Sequence, residues 1–159
     1  METRRFQPDD AIETAQIIAK TLIISNSKDY SKEYIEANIA SHSPDVLIER
    51  AHGGHMYVVC DHSRIIGCGA IAGYLGSTTE SILLTIFVLP EYQGKGIGKQ
   101  IIQTLEQDEY FFRASRIEIP SSITAVEFYK KMGYEYKNGV AELDDELLYR
   151  LEKYREISV

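Results

Sequence analysis

Apolar residues recur along this chain with two periods, and the change from one to the other divides it. Ile12, Ala15, Ile18, Ala19 and Leu22 follow the three-and-four spacing of a helix face, opened by Pro8, Asp9 and Asp10 and broken by the polar stretch 26–29. Ser31, with Tyr34 and Ile35 behind it, reads as the N-cap of a second helix. Pro44 starts a further turn through Val46, Leu47 and Ile48. From His55 the period shortens to that of strands. Met56 to Cys60 and Arg64 to Tyr74 read as a hairpin around Asp61, His62 and Ser63. Ser81 to Leu89 is a nearly unbroken apolar run, as expected of a central strand covered on both faces, and Pro90 ends it.

In the second half, Ile97, Ile101, Ile102 and Leu105 lie on one helical stripe. Arg116 to Ile119 is a short strand stopped by Pro120. Ser121 or Ser122 caps a helix carrying Ala125, Val126, Phe128 and Tyr129, and Gly133 stands where a C-cap glycine belongs. Tyr134 to Lys137 and about Leu147 to Lys153 close the chain as two strands joined at Asn138-Gly139. With Met1 to Phe6 as a short first strand, the order is strand, two helices, three strands, helix, strand, helix, two strands. That order describes an α+β chain with a mixed sheet.

Composition changes this picture little. At 159 residues, 44% hydrophobic and 26% charged, the chain fits one ordinary domain over 1–159, with a core that needs no disulfide or metal. No apolar run approaches the roughly 18 residues of a membrane span, and the charged start does not resemble a secretory leader. A cytoplasmic protein without membrane contact is the expectation. Cys60 and Cys68 sit in apolar runs without zinc spacing and read as small buried hydrophobes. His52 and His55 make an incomplete ligand set, so no metal is expected. A formal net charge of −7 argues against a nucleic-acid partner, which needs a basic face. It is compatible with a cationic amine substrate and equally with plain solubility.

The segment from Val88 to Lys99, VLPEYQGKGIGK, changes the picture most. Gly94, Gly96 and Gly98 remove side chains where backbone must come close to a ligand. Free N–H groups at the helix start, with the positive end of its dipole, make an anion site, and Lys95 and Lys99 add positive charge. The physical reading is a phosphate or pyrophosphate cradle. A Walker A loop fails, because Gln93 stands at its first glycine and Gln100 at its serine or threonine. A dinucleotide fingerprint fails too, because Lys99 stands at its third glycine and the segment lies past the middle of the chain.

Gln93, Gly96 and Gly98 do match Gln/Arg-x-x-Gly-x-Gly/Ala, and this resembles motif A of the GNAT N-acetyltransferases. The lead-in from Val88 to Tyr92 is similar as well. Farther on, the stretch Ala125, Phe128, Tyr129, Gly133 and Tyr134 resembles the family's A-x-x-F-Y-x-x-x-G-F/Y segment. Together with the element order, the resemblance extends over essentially the whole chain, with the N-terminal third matching only in pattern.

The resemblance implies the GNAT fold, a mixed, twisted sheet of six to seven strands flanked by about four helices. It implies acetyl-CoA as co-substrate, no metal, and acetyl transfer by direct attack of a primary amine of a small molecule or peptide. The backbone of Gln93, Gly94, Lys95, Gly96, Ile97, Gly98 and Lys99 would hold the CoA diphosphate. Phe87 and Val88 would pair with the pantetheine arm where the fourth and fifth strands splay, and Phe128 lies on the cofactor side. Tyr129 takes the family's general-acid position, and an N–H near Val88 that of an oxyanion donor. Two positions depart from the family pattern. Ser122 stands where many members carry an asparagine that contacts the pantetheine amide. Ser81 to Val88 lacks the carboxylate that many members use as general base, and Glu80 is the nearest candidate. Tyr30, Glu33 and Tyr34 are candidates for acceptor contacts. A monomer and a homodimer both fit. The alternative function is a CoA-binding regulatory module without turnover.

Overall fold

The computed structural model describes residues 1–156. Its strands are β1 (Glu2–Arg5), β2 (Gly54–Asp61), β3 (Arg64–Gly73), β4 (Glu80–Val88), β5 (Arg116–Ser121), β6 (Glu135–Tyr136) and β7 (Tyr149–Tyr154). They form one seven-stranded sheet in the order β1-β2-β3-β4-β5-β7-β6. Every neighbouring pair is antiparallel except β4 and β5, so the sheet is mixed, as expected. The helices are α1 (Ala11–Ser25), α2 (Lys32–Ala40), α3 (Pro44–His52), α4 (Ile97–Leu105), α5 (Glu109–Phe112) and α6 (Val126–Lys131).

Two of these helices exceed the expected four. The stretch after Pro44 is a nine-residue helix rather than a turn. Ser43 caps it by accepting the Val46 N–H at 3.4 Å, Pro44 opens it, and Leu47 is fully buried beneath it. The short α5 is capped by Asp108, which accepts the Tyr110 N–H at 2.8 Å. Strand β5 also runs through Pro120 instead of stopping there. Pro120 pairs with Arg150 of β7 while its β4 side is already unpaired, the edge-like setting in which a strand proline is tolerated. The expected tight hairpin between the last strands is a turn at Asn138 and Gly139 followed by a loop to Tyr149. Asp144 organises that loop by accepting the N–H groups of Glu146 and Leu148 at 2.9 and 3.0 Å.

Strand β3 is buried at every position from Ile65 to Ile71, the sign of cover on both faces. On one face α4 lies very close. A Cβ at Gly69 would stand 2.5 Å from Ile101 Cγ2, so glycine there sets the helix–sheet distance. The core runs through Ile18 and Leu22 of α1, Met56 of β2, Ile66 and Ile71 of β3, and Leu83 of β4. Each such side chain contributes about 1.5–3 kcal/mol by leaving water.

The parallel pair decides where a site can form. It is only three residues long, matching Glu80, Ser81 and Ile82 with Arg116, Ile117 and Glu118. Beyond that the strands part, and β5 continues beside β7 alone. On its other side β4 carries a bulge. Leu84 pairs with Ala70 and Phe87 with Cys68, so Thr85 and Ile86 together oppose Gly69. Thr85 takes φ 58°, costly for a β-branched residue at about 1–3 kcal/mol.

Candidate active site

The parted strands open a cavity of about 690 Å³, lined by β4 from Leu83 to Val88, the glycine-rich loop, β5 at Ile119 and Pro120, and α6 at Phe128 and Tyr129. At its loop end the backbone amides of 94–99 donate to no backbone acceptor outside the helix among the described residues. The first such donor of α4 is Gln100, to Gly96 O at 3.0 Å. Gly94 and Gly96 sit at φ 75° and 83°, conformations that side chains resist, and a Cβ on either would project into open space. Lys95 and Lys99 stand beside these amides, Lys95 with its ammonium 5.4 Å from the Tyr92 ring. Donors, dipole and Lys99 converge on one open volume, which fits a diphosphate, while Lys95 lies outside its lining over Tyr92. Gln93 braces the corner by donating through Nε2 to Ser25 Oγ and Val88 O, both at 3.0 Å.

The strand end is also directed. Leu89 N–H bonds Ile66 O at 2.9 Å, and Val88 is matched with Gly67. Alternation along an antiparallel ladder therefore turns the Val88 N–H away from β3 and into the gap. Its carbonyl, facing the same way, accepts from Gln93 Nε2 at 3.0 Å and Thr21 Oγ1 at 3.4 Å. Phe87 and Val88 both line the cavity.

Tyr129 enters from α6 and is 6% exposed. Burial pushes its phenol well above the ordinary value, so it carries its proton at neutral pH. Among the described residues its hydroxyl has no hydrogen-bond partner, yet it is not sealed from the cavity. Phe128 backs the loop, and a Cβ at Gly98 would meet Phe128 Cζ at 3.0 Å. Ser122 lines the cavity too, but its Oγ caps the chain by accepting the Ala125 N–H at 3.2 Å.

Glu80 is not in this cavity and is corrected as a base. It lies at the other end of β4, roughly 26 Å from Val88 at about 3.3 Å per residue. There it accepts Arg116 Nε at 3.0 Å. Arg116 also donates to Glu152 at 3.0 Å and to Glu118 at 2.9 Å. Lys137 and Arg150 approach Glu118 at 2.9 and 3.2 Å. Burial alone would raise the pKa of Glu118, and Lys137 and Arg116 bring it below the usual carboxylate range.

The tyrosines of the second helical region hold structure. Tyr30 OH donates to Leu147 O at 2.8 Å, and Tyr34 OH donates to Glu146 O at 2.7 Å. Their rings stack at 4.4 Å, and the pair ties the loop after β6 against α2, closing one wall of the cavity. Tyr30 is therefore not free for an acceptor, while Tyr34 still lines the cavity. Glu33 is exposed and outside it.

His42 and Arg50 line this wall as well, and sequence reasoning missed both. His42 Nδ1 lies 2.8 Å from Asn38 O. A carbonyl only accepts, so Nδ1 carries the hydrogen and Nε2 is left as a free acceptor. Its ring meets Phe87 edge-on at 5.4 Å. Burial lowers its pKa, opposed by the Asn38 carbonyl and reinforced by the charge of Arg50. Arg50 Nη1 donates to Thr85 Oγ1 at 2.7 Å. Nothing in the linear pattern connects these residues, because α2, α3 and a strand bulge meet only in space. His55, by contrast, is held by Asp108 at 2.8 Å in a structural contact. Cys60 and Cys68 are both buried free thiols. Among the described residues no cluster of metal-ligating side chains occurs, and no helix is long and apolar enough to cross a membrane.

A mixed sheet that splits beside an amide-lined helix start is the architecture of CoA-dependent N-acyltransferases. The model of the acetyltransferase (GNAT) domain matches residues 52–136, and the chain belongs to that family. Its fold is similar to that of the PaiA N-acetyltransferase of Thermoplasma acidophilum, solved in complex with coenzyme A. That match has a TM-score of 0.81 and 22% identity over 97% of this chain and 98% of that one. A GCN5-related N-acetyltransferase of Rhodopseudomonas palustris matches with TM-score 0.78 and 24% identity over 97% and 95%. A Mycobacterium tuberculosis protein solved with CoA matches with TM-score 0.70 and 16% identity over 98% and 100%. No curated protein matches in sequence.

Proposed function

We propose that this cleft transfers the acetyl group of acetyl-CoA to a primary amine. The run of unpaired amides from Gly94 to Lys99, opening into the same cavity as the Tyr129 hydroxyl, carries this reading. CoA bound in the solved relatives supports it.

Acetyl-CoA supplies an acyl group activated as a thioester. The amides from Gly94 to Lys99, including Ile97, grip the diphosphate, with Lys95 and Lys99 as mobile counter-charges, while the Gln93 N–H is held by Pro90 O at 3.2 Å and Gln93 serves through its side chain. The exposed edge at Phe87 and Val88 aligns the pantetheine arm, flanked by Phe128 and Ser122. The Val88 N–H faces the carbonyl oxygen as negative charge builds there. Tyr129 delivers the proton that the departing sulfur needs, and its burial keeps that proton in place until then. His42 Nε2 replaces Glu80 as the base that strips the acceptor ammonium.

Thiol release from acetyl-CoA, followed across a panel of amines with purified protein, tests this reading. Thiol release matched by acetylated amine is expected. Tight CoA binding with no release for any amine would contradict transfer and leave a CoA-binding regulatory module.

A further inference from the structure

The cations that line the cavity differ in their surroundings. Lys99 belongs to the loop end, whereas Arg50 stands at the opposite end beside the bulge. Arg50 donates through Nη1 to Thr85 Oγ1 at 2.7 Å, and its Nε and Nη2 groups have no partner among the described residues. They are not sealed, and Arg50 lines the cavity. Among the described residues no carboxylate pairs with Arg50, whose side-chain bond goes to Thr85. Burial lowers its pKa, opposed only by the nearby Cys68 thiol. The cavity's one acidic lining residue, Glu146, is already 3.4 Å from Arg150.

A half-buried guanidinium without a counter-ion is an unfavourable arrangement that an anion relieves. Its planar fork accepts a carboxylate through two parallel hydrogen bonds. Thr85 and Val88 are three residues apart in β4, at most about 10 Å. Resting on the acetyl-transfer reading of this cleft, we infer that Arg50 anchors a carboxylate of the acceptor, and that the amine acetylated belongs to an amino acid. His42, on the same wall, then meets the ammonium of a substrate whose acid group is held at Arg50.

Acceptor pairs that differ only at the carboxylate decide the matter. Glycine and 4-aminobutyrate are compared with glycinamide and 4-aminobutyramide, with putrescine as a diamine. The carboxylates are expected to show kcat/KM at least about tenfold higher. In Arg50→Gln that ratio falls to about one, and Arg50→Lys, which keeps charge without the fork, lies between. Amides or putrescine serving as well as the carboxylates, or a ratio unmoved in Arg50→Gln, would overturn the anchor. A second measurement does not need turnover. N-acetylglycine and N-acetylglycinamide are titrated by calorimetry into the CoA-loaded protein. The carboxylate is expected to bind at least about tenfold tighter, and Arg50→Gln to erase the difference. Equal affinities in the wild type would overturn the anchor. Tight, Arg50-dependent binding of N-acetylglycine without acetylation of any amine would overturn the transfer reading alone.

Discussion

The two ends of the β4–β5 pair are built from opposite principles. At the paired end, Arg116 is ringed by Glu80, Glu118 and Glu152, and Glu118 in turn by Lys137 and Arg150. Charge there is buried and compensated, with its hydrogen-bond capacity turned inward. At the parted end, the amides of 94–99, the Val88 N–H, the Tyr129 hydroxyl and the Nε and Nη2 groups of Arg50 have no partner among the described residues. One pair of strands thus carries a clamp and a cleft. The closed end fixes the divergence, and the open end exposes groups that folding alone leaves unsatisfied.

Breaking the open end has the largest expected effect. Gly96→Glu forces a side chain into φ 83° and sets a negative charge against the cradle. CoA affinity should fall about a thousandfold or more by calorimetry, with the fold intact by circular dichroism.

Breaking the closed end acts on stability instead. Glu118→Ala removes the buried carboxylate that Arg116, Lys137 and Arg150 share, leaves Arg116 to Glu80 and Glu152, and should cost about 1.5–3 kcal/mol in denaturant unfolding. Glu118 is held below the usual carboxylate range, so the unfolded chain takes up its proton first as pH falls. Its stabilisation is therefore complete above the unfolded value of about 4.3 and is lost as pH drops through the lower folded value. The alanine variant should lose that part of the acid sensitivity, which urea titrations across pH measure.

The contrast with the open end sharpens at Tyr129. Tyr129→Phe should lower kcat about a hundredfold while CoA affinity changes less than about twofold. A full rate would remove the acid assignment. The smallest effect separates the two ends by pH. His42 has its pKa lowered by burial, so the acid limb of kcat/KM should lie below about 6.5. His42→Gln should flatten that limb and reduce the rate about tenfold or more, whereas Glu80→Gln should leave its position unchanged.

What was legible in the sequence was local. The 93–99 loop and the 125–134 segment keep their chemistry within a few consecutive residues, and the Ile97, Ile101, Ile102, Leu105 stripe packs as its spacing says. What was not legible depends on pairing. Glu80 looked available because its partner, Arg116, lies in a strand reached only through a crossover. Thr85 interrupts an apolar run, but nothing linear announces a bulge that turns its hydroxyl to Arg50. Tyr30 and Tyr34 looked like substrate contacts because the loop that takes their hydroxyls lies more than half the chain away. The stretch from Pro44 read as a turn because its apolar residues are few, while Ser43 and Leu47 supply the cap and the anchor that make it a helix.

Amide hydrogen exchange of residues 94–99 with and without CoA tests the central claim most directly. Exchange at these positions should slow on CoA binding, with Glu118 and its neighbours unchanged. CoA binding that leaves those amides exchanging as before would contradict it.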